Sequence, residues 1–250
     1  MPPRVVVHAG FHKTGTTSIQ KALDAHRAVL APLTIQLGAD MRGLCEAARI
    51  YSVSRSAFDL GYIRYEAAAL AENWQGTLLL SSEDLAGQMP GRRGLSSYDT
   101  TPQILAAMTE GFRAARPEIA LAFALTTRSA APWLLSCHMQ HLRATRMTLS
   151  AEEYAADYAA SADLTGVIAK IADALPGIAV QELPLEAETD PLTALLGLVG
   201  VPPDKLPAMP HKNRSEPDAL RAGLLAINRS DRSDVDARTA RKALMRKGRP

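Results

Sequence analysis

One lysine, two glycines and a run of hydroxyl residues stand together near the N-terminus, in the stretch Gly10-Phe11-His12-Lys13-Thr14-Gly15-Thr16-Thr17-Ser18. A glycine-flanked turn that opens a helix leaves main-chain N–H groups without carbonyl partners, at the positive end of the helix dipole. Such a stretch is suited to hold an anion, and Lys13 adds a full charge to it. The nucleotide-binding pattern G-x-x-x-x-G-K-[ST] is met by Gly10 and Gly15 in their separation, but Thr16 stands where its lysine should be. That argues against an ordinary ATPase or GTPase. An atypical P-loop kinase or NTPase, with Glu83 or Asp84 holding magnesium, stays open as an alternative.

These residues need elements to position them. Val5 to Val7 reads as a buried strand entering the glycine turn, and Ile19 with Leu23 marks the helix that leaves it. Thr77 to Ser82 is a second core strand, ending in Glu83-Asp84. Ile119 to Thr127 is a third, almost continuously apolar as a strand covered on both faces should be, and Ile178 to Leu183 is a fourth. Leu33 to Leu37 reads as a short extended piece. Helices are expected from about Met41 to Ala48, Ile63 to Asn73, Pro102 to Ala115 with Thr101 as N-cap, Ser129 to Arg146, Ala151 to Ala160, Thr165 to Ala174 and Pro191 to Leu198. Ser150 and Glu153 form a capping box. From about Pro217 the chain is polar and helical, with a narrow apolar stripe.

Strands separated by helices imply an α/β fold, a three-layer parallel sheet with helices on both faces. Ligands of such sheets sit at the carboxyl ends of the strands. That brings Gly10 to Ser18, Ser82-Glu83 and Thr127-Arg128 to one rim. Gly87 to Thr101, rich in Gly, Pro and Ser and carrying Arg92 and Arg93, reads as a long exposed loop of the kind that covers or binds ligands.

Composition sets the frame. The 250 residues suit one substantial domain over 1–250, with a helical C-terminal part from about 217. Hydrophobic residues make up 47% and charged residues 22%, ordinary for a globular protein, and a net charge of +2 is too small for a nucleic-acid binder. The N-terminus lacks the apolar region of a secretory signal, and no apolar run reaches the length of a membrane span. Cys45 and Cys137 are far apart and without metal-ligand spacing, so a disulfide scaffold or zinc site is not expected and a cytoplasmic setting is.

Lys13-Thr14-Gly15-Thr16-Thr17 resembles the 5′-phosphosulfate loop of the sulfotransferases, commonly Lys-Ser/Thr-Gly-Thr-Thr, with the preceding strand and following helix matching too. The resemblance runs from Val5 to about Ile227, with its strong motifs in two places. It implies the P-loop-type sulfotransferase fold and 3′-phosphoadenylyl sulfate (PAPS) as donor, held by Lys13, Thr14, Gly15, Thr16, Thr17 and Ser18. It further implies an Arg at a later strand end and a Ser eight positions on for the 3′-phosphate, here Arg128 and Ser136. Ser129-Ala130 replaces the usual Asp-Pro beside that Arg.

The implied reaction moves a sulfuryl group to a hydroxyl or amine of a small-molecule, carbohydrate or lipid acceptor, without a metal. Lys13 assists the leaving group. Glu83, at the rim, takes the acceptor's proton, with His12 and His8 as rivals. A non-catalytic nucleotide-binding or interaction domain of the same fold is the other alternative. His211-Lys212-Asn213-Arg214-Ser215 looks like a late Asn-x-Ser segment of bacterial relatives, and Arg246-Lys247-Gly248 copies the letters of a late nucleotide motif; each also reads as a solvated basic stretch. Neither the identity of the acceptor nor the oligomeric state is legible.

Overall fold

A computed structural model describes residues 3–72, 74, 76–207 and 217–247. His211 to Ser215 and Gly248 lie outside them. The chain divides into two compact units, Met1–Arg128 with Asp163–Met209, and Ser129–Ala162 with Pro210–Pro250, where one domain over 1–250 is the sequence expectation.

β-Branched and leucine-rich runs make the sheet of the first unit: β1 (Arg4–His8), β2 (Thr34–Leu37), β3 (Thr77–Ser81), β4 (Ala120–Thr127) and β5 (Ala179–Pro184). All pairings are parallel, in the order β2-β3-β1-β4-β5, so β1 lies at the centre. The extended piece expected at Leu33 to Leu37 is thus an edge strand of the sheet, Thr34–Leu37. Register places His8 beside Ser81 and Ala124, which aligns the carboxyl ends of β3 and β1, while β4 runs on to Thr127.

Val5, Val6 and Val7 are all fully buried, because neither face of β1 meets water. On one face Val6, Leu79, Ala124 and Leu183 pack with Ile19 and Leu23 of α1 (Thr16–Ala25) and with Leu192, Leu195 and Leu196 of α8 (Pro191–Leu198). Their strand neighbours Leu78, Leu80, Phe123 and Leu125 point the opposite way and are equally buried. The remaining helices of this unit are α2 (Arg42–Ser54), α3 (Ala57–Glu72), α4 (Thr101–Ala115) and α7 (Leu164–Ala174); α4 packs on α3 and α7, and α7 reaches β4 and β5. The unit is the α/β parallel sheet flanked by helices that the strand pattern implies.

Three local readings change. Helix α3 starts at Ala57 rather than Ile63, because Ser56 caps it: the Asp59 N–H donates to Ser56 Oγ at 3.1 Å and that hydroxyl donates to the Asp59 carboxylate at 2.9 Å. The N-cap of α4 is Thr100 and not Thr101, whose hydroxyl instead donates to the Ala86 carbonyl at 2.7 Å. The stretch from Gly87 to Thr101 is not simply exposed, since Met89 and Tyr98 are buried within it.

The second unit holds α5 (Ala130–Ala144), α6 (Ala151–Asp157), α9 (Asp218–Arg229) and α10 (Asp234–Lys247). The capping box of Ser150 and Glu153 opens α6. Met139, Leu142 and Leu224 make a small core, and the buried Asn228 ties α9 down by donating to the carbonyls of Leu142 and Met147 at 3.2 and 3.0 Å. Arg241 of α10 donates to the Asn228 Oδ1 at 2.7 Å. Among the described residues, no helix is long and apolar enough to cross a membrane.

Candidate functional site

The centre of the sheet delivers the chain from β1 through the glycine turn into α1. Gly15 is the N-cap of α1 with φ 93°, a conformation that a side chain disfavours, and it offers no side-chain cap. The N–H groups of Gly15, Thr16 and Thr17 meet no acceptor among the described residues, while those of Ser18 and Ile19 turn back to the Gly15 carbonyl at 2.9 and 3.3 Å. No acidic residue stands in the first turn of α1. Open amides, the dipole end and the absence of carboxylates together favour an anion there.

The hydroxyl residues of the loop divide in two. Thr14 and Thr16 are buried, and Thr17 and Ser18 are exposed. The Thr14 hydroxyl donates to the Phe11 carbonyl and meets Thr126 Oγ1 of β4 at 2.7 Å, so its side chain holds the loop and leaves the main chain for a ligand. Gly10 closes the underside: a Cβ there would run into Thr126 Oγ1, Thr16 Cγ2 and His8 Nε2. Lys13 is half-buried with φ 68°, in the left-handed region, which costs a non-glycine residue of order 1–3 kcal/mol. Its neighbours must hold it there.

The next strand end supplies the carboxylates. Ser82 donates its N–H to the His8 carbonyl at 3.1 Å, which fixes the start of a short 3-10 turn, Glu83–Ala86, beside the loop. Glu83 and Asp84 do begin a helical turn, as their type allows, and Glu83 also faces α1: the Gln20 amide donates to its Oε2 at 2.8 Å. Asp84 lies between two cations or potential cations, with Oδ1 3.6 Å from His12 Nε2 and Oδ2 3.8 Å from Arg49 Nη1.

The two histidines beside the loop differ. His8 is fully buried, its Nδ1 2.8 Å from Ser81 Oγ and its Nε2 without a hydrogen-bond partner among the described residues. Burial pushes its pKa down to about 4. His12 lies at the rim, with Nδ1 3.0 Å from the Tyr98 hydroxyl, and its main-chain N–H donates to that same hydroxyl at 3.1 Å. Cys45 and Cys137 are both buried and outside any disulfide, and burial pushes the Cys45 thiol up to about 11, which keeps it protonated.

On the other side of β1, β4 ends in Thr126 and Thr127, both buried, followed by the half-buried Arg128. The Thr127 hydroxyl donates to Glu182 Oε1 of β5 at 2.7 Å, and Arg128 Nε is 3.9 Å from Glu186 Oε1. Leu185 comes within 3.0 Å of where a Cβ on Gly15 would lie, so the end of β5 borders the loop as well. Ser136 is half-buried on α5, in the second unit.

The structure therefore gathers Lys13 to Ser18, Glu83 and Arg128 on one rim of the first unit. It adds residues that sequence reasoning did not single out: Gln20 on Glu83, Arg49 on Asp84, Thr126 under the loop and Tyr98 on His12. Only Tyr98 carries a signal in the sequence, as the one aromatic residue in a stretch otherwise rich in Gly, Pro and Ser.

No protein-family model matches the chain, and no curated protein matches it. Among solved structures, a sulfotransferase from Alicyclobacillus acidocaldarius is similar over 98% of this chain and 96% of that one, at 17% sequence identity and a TM-score of 0.47.

Proposed function

We propose that this protein is a PAPS-dependent sulfotransferase that transfers a sulfuryl group to an acceptor hydroxyl of a small molecule, carbohydrate or lipid. One observation carries the reading: Lys13 precedes the glycine N-cap of a helix whose open amides face no carboxylate, and Glu83 stands at the adjoining strand end. The amides of Gly15, Thr16 and Thr17 hold the 5′-phosphosulfate. Lys13 neutralises the charge that grows on the phosphate as its bond to sulfur breaks. Glu83 accepts the proton of the acceptor hydroxyl as the new oxygen–sulfur bond forms, and adenosine 3′,5′-bisphosphate leaves. Arg128, whose planar guanidinium suits phosphate, takes the 3′-phosphate.

Glu83 fits the base better than either histidine. His8 has no path to an acceptor and is held neutral by burial, with its pKa near 4. His12 has one ring nitrogen engaged by Tyr98 and the other facing Asp84. The Gln20 amide orients Glu83, with one oxygen spoken for.

The test is a melting curve with and without PAPS or adenosine 3′,5′-bisphosphate, followed by transfer to a panel of hydroxyl acceptors. A ligand at a hundred times its Kd stabilises by about 2.7 kcal/mol, which a melting curve resolves. Glu83→Gln is expected to keep that shift and to lose about a hundred- to ten-thousandfold in turnover. No shift with either nucleotide refutes the reading. Magnesium-dependent ATP hydrolysis replaces it with an NTPase, and binding without transfer replaces it with a non-catalytic domain.

A further inference from the structure

Helix α3 carries a face that the packing of its own unit does not use. Five of the eight large apolar side chains exposed among the described residues stand on α2 and α3: Ile50, Val53, Phe58, Tyr62 and Tyr65. We propose that this face pairs two copies of the chain, with α3 crossing the second copy's α3 at Gly61 on a two-fold axis. The pairing stands apart from the sulfotransferase reading.

Positions 58, 61, 62 and 65 share one side of a helix, while Ile63, Ala67 and Ala71 on another side are buried. Only Arg55 and Ser56 link α2 to α3, and a Cβ on Gly43 would run into the Glu66 carboxylate, so the two helices lie antiparallel. That register brings Ile50 and Val53 level with the first turn of α3. The five side chains therefore make one patch and not scattered exposures. The rings of Tyr62 and Tyr65 are stacked, with centroids 6.1 Å apart and planes within 15°, so part of the surface is already set before a partner arrives.

Gly61 stands in the middle of this stripe, a turn from Phe58 and a turn from Tyr65. Its backbone is helical, and a Cβ there would meet nothing within 4 Å among the described residues. Only proline is a poorer helix former, so neither backbone conformation nor crowding within this chain accounts for a glycine here. Close passage of a second helix over the backbone does. The positions around it also complement themselves. Phe58 lies about 4.5 Å before Gly61 along the axis and Tyr65 about 6 Å after it. In an antiparallel crossing at Gly61, Phe58 meets Tyr65 of the second copy, and does so twice, as a two-fold interface requires.

Charge and area decide the occupant. The two arginines that flank the face are turned back onto this chain, Arg55 to Asp99 at 2.7 Å and Arg64 to Glu110. An anionic membrane surface would need such cations unspent. Phe58 is 82% exposed, Tyr65 66% and Tyr62 43%. With about 150–250 Å² in a whole aromatic side chain, roughly 300–450 Å² of ring surface meets water on each copy. Two such faces, with Ile50 and Val53 added, reach about 1,000 Å², the lower bound of a specific interface. The pair is a reversible dimer with a micromolar dissociation constant.

Sedimentation velocity of the full chain from about 1 to 100 μM tests it, and a monomer–dimer equilibrium within that range is the expected result. Gly61→Leu puts a good helix former where the monomer has room. It is expected to leave the melting temperature of the dilute protein equal or higher, yet to weaken the dimer at least thirtyfold, about the loss that defines a hot spot. Phe58→Lys is expected to weaken it as much. Wild type that stays monomeric throughout, or a dimer that both variants leave intact, overturns the pairing. A dimer lost in Phe58→Lys and kept in Gly61→Leu overturns the crossing point. Monomeric protein that instead floats with phosphatidylcholine vesicles, and no longer does so as Phe58→Lys, overturns the pairing and makes the face a membrane contact.

Discussion

The ends of β1 and β4 are neighbours in the sheet, and they are built to opposite plans. At the end of β1 the groups our proposal offers to a ligand are main-chain amides and the Lys13 side chain, while the threonines and glycine beneath them serve packing: Thr14 and Thr16 turn inward, and Gly10 leaves room for Thr126, Thr16 and His8. At the end of β4 the main chain is committed to the sheet, Thr127 is spent on Glu182, and what remains for a ligand is one side chain, Arg128. No substitution except by proline removes a main-chain amide, so the first site is vulnerable chiefly to crowding. A lone guanidinium can be removed cleanly, so the second is vulnerable to truncation. On the proposed reading an anion is therefore met at β1 by main-chain shape with one lysine added, and at β4 by a single side-chain charge.

That contrast is broken or sharpened by three measurements. Gly10→Ala forces a methyl into three neighbours at once, and we expect about 3 kcal/mol of lost stability, the upper end of what overpacking costs, read from the denaturation midpoint. A variant as stable as wild type would mean that the loop is held by something other than its packed underside. Arg128→Ala is expected to leave the unliganded melting temperature unchanged, because a partly exposed pair with Glu186 at 3.9 Å contributes little. Its affinity for adenosine 3′,5′-bisphosphate should fall by about 2 kcal/mol, near thirtyfold; equal affinity would take the 3′-phosphate away from β4.

The third effect shows only as pH changes and concerns His8, under the loop. Its pKa is about 4 in the folded protein against 6.5 in the unfolded chain, so below pH 6.5 the unfolded state gains a proton that the folded state refuses. The stability this histidine supplies is therefore whole above pH 6.5 and drains away as pH falls towards 4. The limiting slope is about 1.4 kcal/mol for each pH unit. Denaturation of wild type and His8→Gln across that window should give curves that converge on acidification, and parallel curves would show that His8 takes up its proton while folded.

Much of the site is legible in the sequence because its parts are contiguous. Strand, turn, lysine and helix start all fall between Val5 and Leu23, and their order alone describes an anion site on a helix end. The strand ends at Ser81 and Thr127 follow from apolar runs with clear stops, and parallel pairing follows from the helices between them. The capping box at Ser150 is local in the same way.

What the sequence conceals is whatever depends on direction or distance. Thr14 and Thr17 look alike in a run of hydroxyl residues, and only the packing of β4 decides that one faces inward and the other outward. Tyr98 sits in a stretch that reads as solvent-exposed and reaches His12 across 86 residues, a pairing with no periodicity to announce it. Ser56 conceals a helix start because the residues after it mix aromatic and charged types on a helix that is apolar on more than one side.

The division of the chain into units has a consequence for its synthesis. Residues 129–162 are inserted between two parts of the first unit, and their own partners in the small core, Leu220 and Leu224, come from residues 210–250. At about 5–20 residues per second on the ribosome, α5 emerges seconds before α9. During that interval β5 can complete the sheet, while Met139 and Leu142 wait with their apolar faces uncovered. Order of synthesis thus completes the sheet's residues first and those of the helical unit last.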